Sequence, residues 1–237
     1  PGSEKVKIGL VKNIFQFDPL RRWHLLDWAF SKILNDVYTN APLEFLKTGK
    51  SSFYMPGMVD NEMLNPMAPG TLDFIGLNYY SRMHVKGRLN SKEPFVFDTR
   101  QQDIMTDMGY PLYAEGFYRG LKTVSEVEVP IYVTENGLAD DKDTVRPLFI
   151  KRYLYALNQA LKERIDIRGY FYWSLMDNFE WAEGYSMKFG LYEVNLETQE
   201  RKLRKGSQPF IDMVTKRGAD ERGYLVRIGE TAADFTM

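Results

Sequence analysis

The chain has 237 residues, 44% hydrophobic and 27% charged, with 31 Lys and Arg against 32 Asp and Glu for a formal net charge of −1. That balance argues against a basic surface for nucleic acid, and the absence of cysteine excludes disulfides and thiolate metal sites. No apolar run approaches the roughly 20 residues of a membrane-spanning helix, and the opening PGSEKVKIGL has no basic-then-apolar leader pattern, so a cytoplasmic chain is expected.

Taken in order, Val6 to Val11 reads as a strand with Asn13 just past its end. Apolar positions 23, 25, 26, 29, 30, 33 and 34 recur at helical period and predict a helix over 23–37. Residues 39–70 are polar and punctuated by Pro and Gly, which predicts a loop or small excursion rather than a linker. A second strand, LDFIGLNY at 72–79, is apolar enough to be covered on both faces. Residues 86–110 look irregular, and 113–124 reads as a helix despite two glycines. The strand PIYV follows, then a helix over 147–163, a strand over 167–175, a hairpin over 189–203 and a helix over 208–216. Strand and helix alternating in this way predict a parallel sheet, whose chemistry collects at the carboxyl ends of its strands. Polar residues stand at four such ends: Asn13, Asn78 to Tyr80, Glu135 with Asn136, and Trp173 running into Asp177 and Asn178.

Glu135 is the strongest single candidate, because a carboxylate at the end of a buried strand is costly unless partnered, although a cap on the next turn or a pair with an arginine would also fit it. The stretch 173–190, WSLMDNFEWAEGYSMKFG, sets Trp173 and Trp181 among Asp177, Glu180 and Glu183. Indoles stack on the apolar face of a sugar ring while carboxylates accept hydrogen bonds from its hydroxyls. An aromatic-rich surface loop or a protein contact would also fit that stretch. The four Trp, 15 Tyr and 15 Phe equally suit a well-filled core.

These motifs carry a resemblance. YVTENG resembles the nucleophile motif of the family 1 glycoside hydrolases, the β-glucosidase and 6-phospho-β-glycosidase family. GYFYWSLMDNFEWAEGYSMKFGLYEVN resembles that family's last barrel strand and the loop after it, LDFIGLNYYS its sixth strand and KIGLVKN its fifth. The resemblance implies α/β architecture: the C-terminal half, strands five to eight, of a (β/α)8 TIM barrel. It implies a single incomplete domain over 1–237, with 217–237 an extra tail. It also implies roles: Glu135 as the nucleophile of a retaining β-glycosidase, Tyr80 as its hydrogen-bonding tyrosine, and Asn78 as a nearby support. Glu180, Trp173, Trp181 and Phe189 would bind the sugar of a β-glycoside or oligosaccharide substrate. No metal or cofactor is implied. Lys188 and Tyr185 keep a phosphorylated sugar open, whereas the charge of Glu180 would repel a phosphate dianion.

Retaining hydrolysis needs two carboxyl groups about 5 Å apart. The family's Thr-x-Asn-Glu-Pro acid/base motif has no counterpart here, and DNEMLNP (60–66) and NSKEP (90–94) fall in loop-like stretches. His24 and His84 match no pattern and are expected to be structural, as is Tyr153, which with Leu154 replaces the family's usual His–Leu pair. Three readings follow. The chain is half of a β-glycosidase whose acid comes from an N-terminal half-barrel, a catalytically silent sugar-binding scaffold, or a half-barrel that associates with a second copy of itself.

Overall fold

The structure is a computed structural model and describes residues 6–55, 59–90 and 92–217. Apart from Arg217, the expected tail at 217–237 lies outside the described residues. In chain order the elements begin with β1 (Gly9–Pro19), α1 (Leu25–Asn35), a π-helical turn (Asp36–Asn40), α2 (Ala41–Thr48) and the strands β2 (Lys50–Met55) and β3 (Val59–Leu64). They continue with β4 (Phe74–Gly87), β5 (Phe95–Asp98), α3 (Ala114–Ser125), β6 (Ile131–Asn136), α4 (Arg146–Lys162) and β7 (Ile167–Tyr172). The hairpin strands β8 (Tyr192–Val194) and β9 (Arg201–Leu203) and the helix α5 (Gln208–Arg217) complete the described chain.

β1, β4, β6 and β7 run parallel in that order, as the alternation of strand and helix requires. Ile75, Leu77 and Tyr79 of β4 and Ile131 and Val133 of β6 are buried against Phe117 and Leu121 of α3 and Phe149, Ile150, Tyr153 and Leu154 of α4. Each such side chain stabilises the fold by about 1.5–3 kcal/mol on burial. The other face of the sheet is much less covered. On β7, Tyr170 and Tyr172 pack toward Phe210 of α5, with ring centroids 6.2 and 5.6 Å away. Phe171 between them is 58% exposed, and Val11 of β1 is 52% exposed. Apolar side chains on both outer strands thus stand in the open.

The two glycines of α3 have a packing reason. Gly116 and Gly120 lie on the buried face with Phe117 and Leu121, and a methyl group at 116 would overlap the Tyr79 hydroxyl. Glycine lets the helix close onto the strand there.

Four sequence expectations are corrected. β1 continues to Pro19, because Ile14 and Phe17 carry the buried alternation beyond Asn13, which pairs with Asn78 inside the ladder. β4 continues to Gly87, paired with the last residues of β1 on one side and with antiparallel β5 on the other. β5 falls in the stretch expected to be irregular. The stretch 39–70, expected as a loop or small excursion, has regular structure: α2, opened by Pro42 and closed by Gly49 at φ 74°, and the β2–β3 hairpin. At the start of α1, buried Asp27 accepts hydrogen bonds from Arg21 N, Nε and Nη2 and from Gly87 N, which fastens the helix to the end of β4.

Candidate active site

Asn13 of β1, Asn78 of β4 and Glu135 of β6 are register partners, so three polar residues form one row across three strands. The row coincides with irregular pairing. The β1–β4 register shifts between Ile14 and Gln16, and the β4–β6 register shifts between Leu77 and Asn78. Such bulges re-aim side chains. Tyr79 is turned into the core and Tyr80 toward Glu135, and Tyr80 Oη donates to Glu135 Oε2 at 2.6 Å. Burial first, and then the bond to Glu135, push the Tyr80 phenol far above its ordinary range, so it remains a donor.

Side-chain hydrogen bonds replace the interrupted ladder. Asn136 is fully buried, donates from Nδ2 to Tyr79 O at 2.6 Å and accepts from Tyr170 Oη at 2.7 Å. The Thr134 hydroxyl donates to Asn78 Oδ1 at 2.6 Å, so Asn78 steadies the strand beside Glu135. Gly137 follows directly, where any side chain would overlap the Trp173 carbonyl oxygen. Trp173 N in turn donates to Asn136 O at 3.0 Å.

The loop after β7 brings the remaining candidates. Burial raises the Glu180 carboxyl, a hydrogen bond from the Trp173 side chain opposes that rise, and the charge of Glu135 reinforces it. Glu180 Oε2 is buried and accepts no hydrogen bond, as are Asn13 Oδ1 and Asn178 Oδ1. Phe189 is buried with its ring edge-on to Tyr80, centroids 6.2 Å apart, while Trp181 stands 82% exposed. Trp181, Ala182 and Glu183 form a single 3-10 turn.

Several contributors have no motif in the sequence. The Tyr110 ring lies 6.4 Å from that of Tyr80, and its phenol is pushed up by burial and then by the charge of Glu180. Arg146, buried at the start of α4, donates to the main-chain oxygens of Asp140 and Lys188 at 2.9 Å and of Phe189 at 3.2 Å. It also donates to Asp143 Oδ1 at 2.8 Å and Tyr172 Oη at 2.9 Å. One guanidinium therefore ties the turn after β6 to the end of the Phe189 loop. A further tie is Arg204 to Asp177 at 2.8 Å, with Asp177 also accepting from Gly190 N at 2.9 Å. Arg146 leaves one trace in the sequence, as a cation directly before the proline that opens a helix.

His24 and His84 stand apart from these residues, next to Asp27 and Asp103 respectively. Among the described residues, no group of three or more His, Asp or Glu side chains is placed to hold a metal, and no helix is long and apolar enough to cross a membrane.

Carboxylates and aromatic rings thus gather at the carboxyl end of a four-stranded parallel β/α sheet, the arrangement of half a β/α barrel. Residues 20–219 match glycosyl hydrolase family 1, and the chain belongs to that family. It is 37% identical over 169 residues to a β-galactosidase of Pyrococcus woesei, covering 63% of this chain and 33% of the relative. It is 32% identical over 241 residues to β-glucosidase A of Thermotoga maritima, covering 91% of this chain and 52% of the relative. The solved β-glycosidase from Pyrococcus horikoshii superposes with a TM-score of 0.77 at 33% identity, over 96% of this chain and 52% of that one. A β-glucosidase from Thermotoga maritima, solved in complex with glucoimidazole, gives 0.75 at 30% identity, over 88% and 51%. The chain thus spans about half the length of these relatives or less. Its fold is the C-terminal half of their (β/α)8 barrel, with β1, β4, β6 and β7 as strands five to eight.

Proposed function

We propose that this chain is the nucleophile-bearing half of a retaining β-glycosidase acting on unphosphorylated, terminal β-linked sugars. The observation that carries the reading is the 2.6 Å hydrogen bond from Tyr80 to Glu135, with Glu180 close enough to feel the charge of Glu135. With Oε2 held by a phenol that stays protonated, the Glu135 carboxylate attacks the anomeric carbon with its other oxygen. The bond from that carbon to the aglycone oxygen breaks as the new ester bond forms, and the departing oxygen takes a proton from a carboxylic acid. In the second step the same acid group, now a carboxylate, takes a proton from water. The water oxygen bonds to the anomeric carbon and Glu135 is released.

In this reading Glu180 and Asn78 bind sugar hydroxyls, Trp173 is the stacking floor, and Trp181 and Phe189 are walls. The acid belongs to an N-terminal half-barrel, consistent with relatives about twice as long as the matched region. The described residues form one incomplete barrel domain that the partner half closes. A second reading, a half-barrel associating with its own copy, is favoured by the exposed Val11 and Phe171.

The test is intact-protein mass spectrometry after incubation with a 2-deoxy-2-fluoro glucoside carrying a dinitrophenol leaving group, with and without an N-terminal half. One added fluoro-sugar, absent in Glu135→Gln, supports the enzyme. No adduct in either sample rejects it and leaves the self-associating or sugar-binding scaffold.

A further inference from the structure

Tyr153 lies on α4, on the far side of the sheet from Glu135, and its side chain is fully buried. A packing role accounts for its ring, which stacks on Phe149 with centroids 4.0 Å apart and lies 5.6 Å from that of Phe117. It does not account for the hydroxyl. Tyr153 Oη accepts from Tyr113 N at 3.0 Å and donates to Tyr80 O at 3.2 Å. The Tyr80 carbonyl lies beyond the last β4–β6 partner, Asn78, and inside the register shift of β1 against β4. Regular pairing is interrupted at this point of the strand, so a side chain supplies a bond there. Tyr113 is held twice, because the Tyr79 hydroxyl donates to its carbonyl at 3.0 Å. Tyr113 follows, three residues on, Tyr110, whose ring faces Tyr80.

We infer that Tyr153 is a positioning residue. Its hydroxyl fixes the peptide of Tyr80, and so the direction of the phenol on Glu135, and locks that peptide to the segment carrying Tyr110. The sequence expectation of a packing position is thereby extended to a second task. The catalytic part of this inference rests on the reading of Glu135 as nucleophile; the geometric part does not.

The variant is Tyr153→Phe, which keeps the ring and its stack on Phe149. The first measurement uses the chain labelled with 13Cζ-tyrosine, with the Tyr80 resonance assigned from Tyr80→Phe. Tyr153→Phe is expected to move the Tyr80 resonance; an unmoved resonance overturns the proposal. The second uses the protein with both barrel halves and the 2-deoxy-2-fluoro dinitrophenyl glucoside. The expected result is labelling of Glu135 slowed roughly 10- to 100-fold with inactivator affinity changed less than about threefold, because a misplaced group costs rate before binding. The double variant Tyr80→Phe/Tyr153→Phe is expected to react no more slowly than Tyr80→Phe alone. Independent, multiplying losses overturn the coupling. Wild-type protein that takes no label rejects the nucleophile reading, and the resonance then decides the role of Tyr153 by itself.

Discussion

Asn136 Nδ2 and the Tyr79 carbonyl meet at 2.6 Å across the two strands that carry Glu135 and Tyr80. Each residue of this pair sits next in sequence to one of the two groups that form the site's central hydrogen bond. Asn136 faces the interior while Glu135 faces the site, so one short stretch of β6 both joins the strands and presents the carboxylate.

Asn136→Ala removes this bond and the one from Tyr170, leaving two buried groups unpaired. The expected cost is about 2–4 kcal/mol. Urea unfolding of the two proteins checks it, and equal midpoints would show that the Asn136 side chain does not join the strands.

Gly137→Ala places a methyl group on the Trp173 carbonyl oxygen. Since that contact is with backbone, the end of β7 has to move. The expected result is loss of at least about 3 kcal/mol together with a changed tryptophan emission maximum. A soluble Gly137→Ala protein with wild-type melting and emission would count against the close approach.

Arg204 and Asp177 have side-chain exposures of only 6% and 4%. Arg204→Met or Asp177→Leu alone strands a buried charge and is expected to cost about 3–5 kcal/mol, whereas the double replacement recovers most of it. A double-mutant cycle on thermal unfolding reads this directly. Additive losses would mean that the two residues act separately.

His84 gives a pH dependence. Burial, then the charges of Arg82 and Arg100, lower its pKa from 6.5 to about 4. The folded value lies below the unfolded one, so the unfolded chain binds the proton more readily. Stability from this group is present above pH 6.5 and declines as pH falls from 6.5 to about 4. His84→Leu is expected to flatten the stability profile across that window in denaturant titrations. An equally steep profile in the variant would assign the dependence to other groups.

The parallel order of the sheet was legible because its strands are apolar runs separated by amphipathic helices. Glu135, Tyr80, Trp173 and Glu180 were legible as candidates because their motifs are contiguous, and the structure pairs Tyr80 with Glu135 and Trp173 with Glu180. The lengths of β1 and β4 were not legible. Asn13 and Asn78 look like strand ends, and long-range pairing, of 16–19 with 82–85 and of 84–87 with β5, keeps the strands extended beyond them. β5 is four residues that gain strand geometry from the far end of β4, a long-range contact with no local pattern. Arg146 drew no expectation from the sequence, because its acceptors are main-chain oxygens about forty residues downstream as well as nearby ones. Tyr153 reads as core, which its ring is, and nothing in a linear sequence distinguishes a phenol that packs from one that also donates.

The tight seating of α3 on Tyr79 bears on how this protein could be made more robust. Replacing a helical glycine with alanine ordinarily gains about 0.5–1 kcal/mol by restricting the unfolded chain. At Gly120 the nearest atoms to a new methyl group are Tyr79 Cδ2 at 3.7 Å and Ile14 Cγ2 at 3.8 Å, an ordinary contact, so that gain is available. One helical turn earlier, at Gly116, the same substitution drives the Tyr79 hydroxyl off Tyr113 and disturbs the peptide next to Tyr80. Two glycines four residues apart thus mark a permissive and a forbidden position for thermostabilisation, and a library that treats them alike would lose at one what it gains at the other.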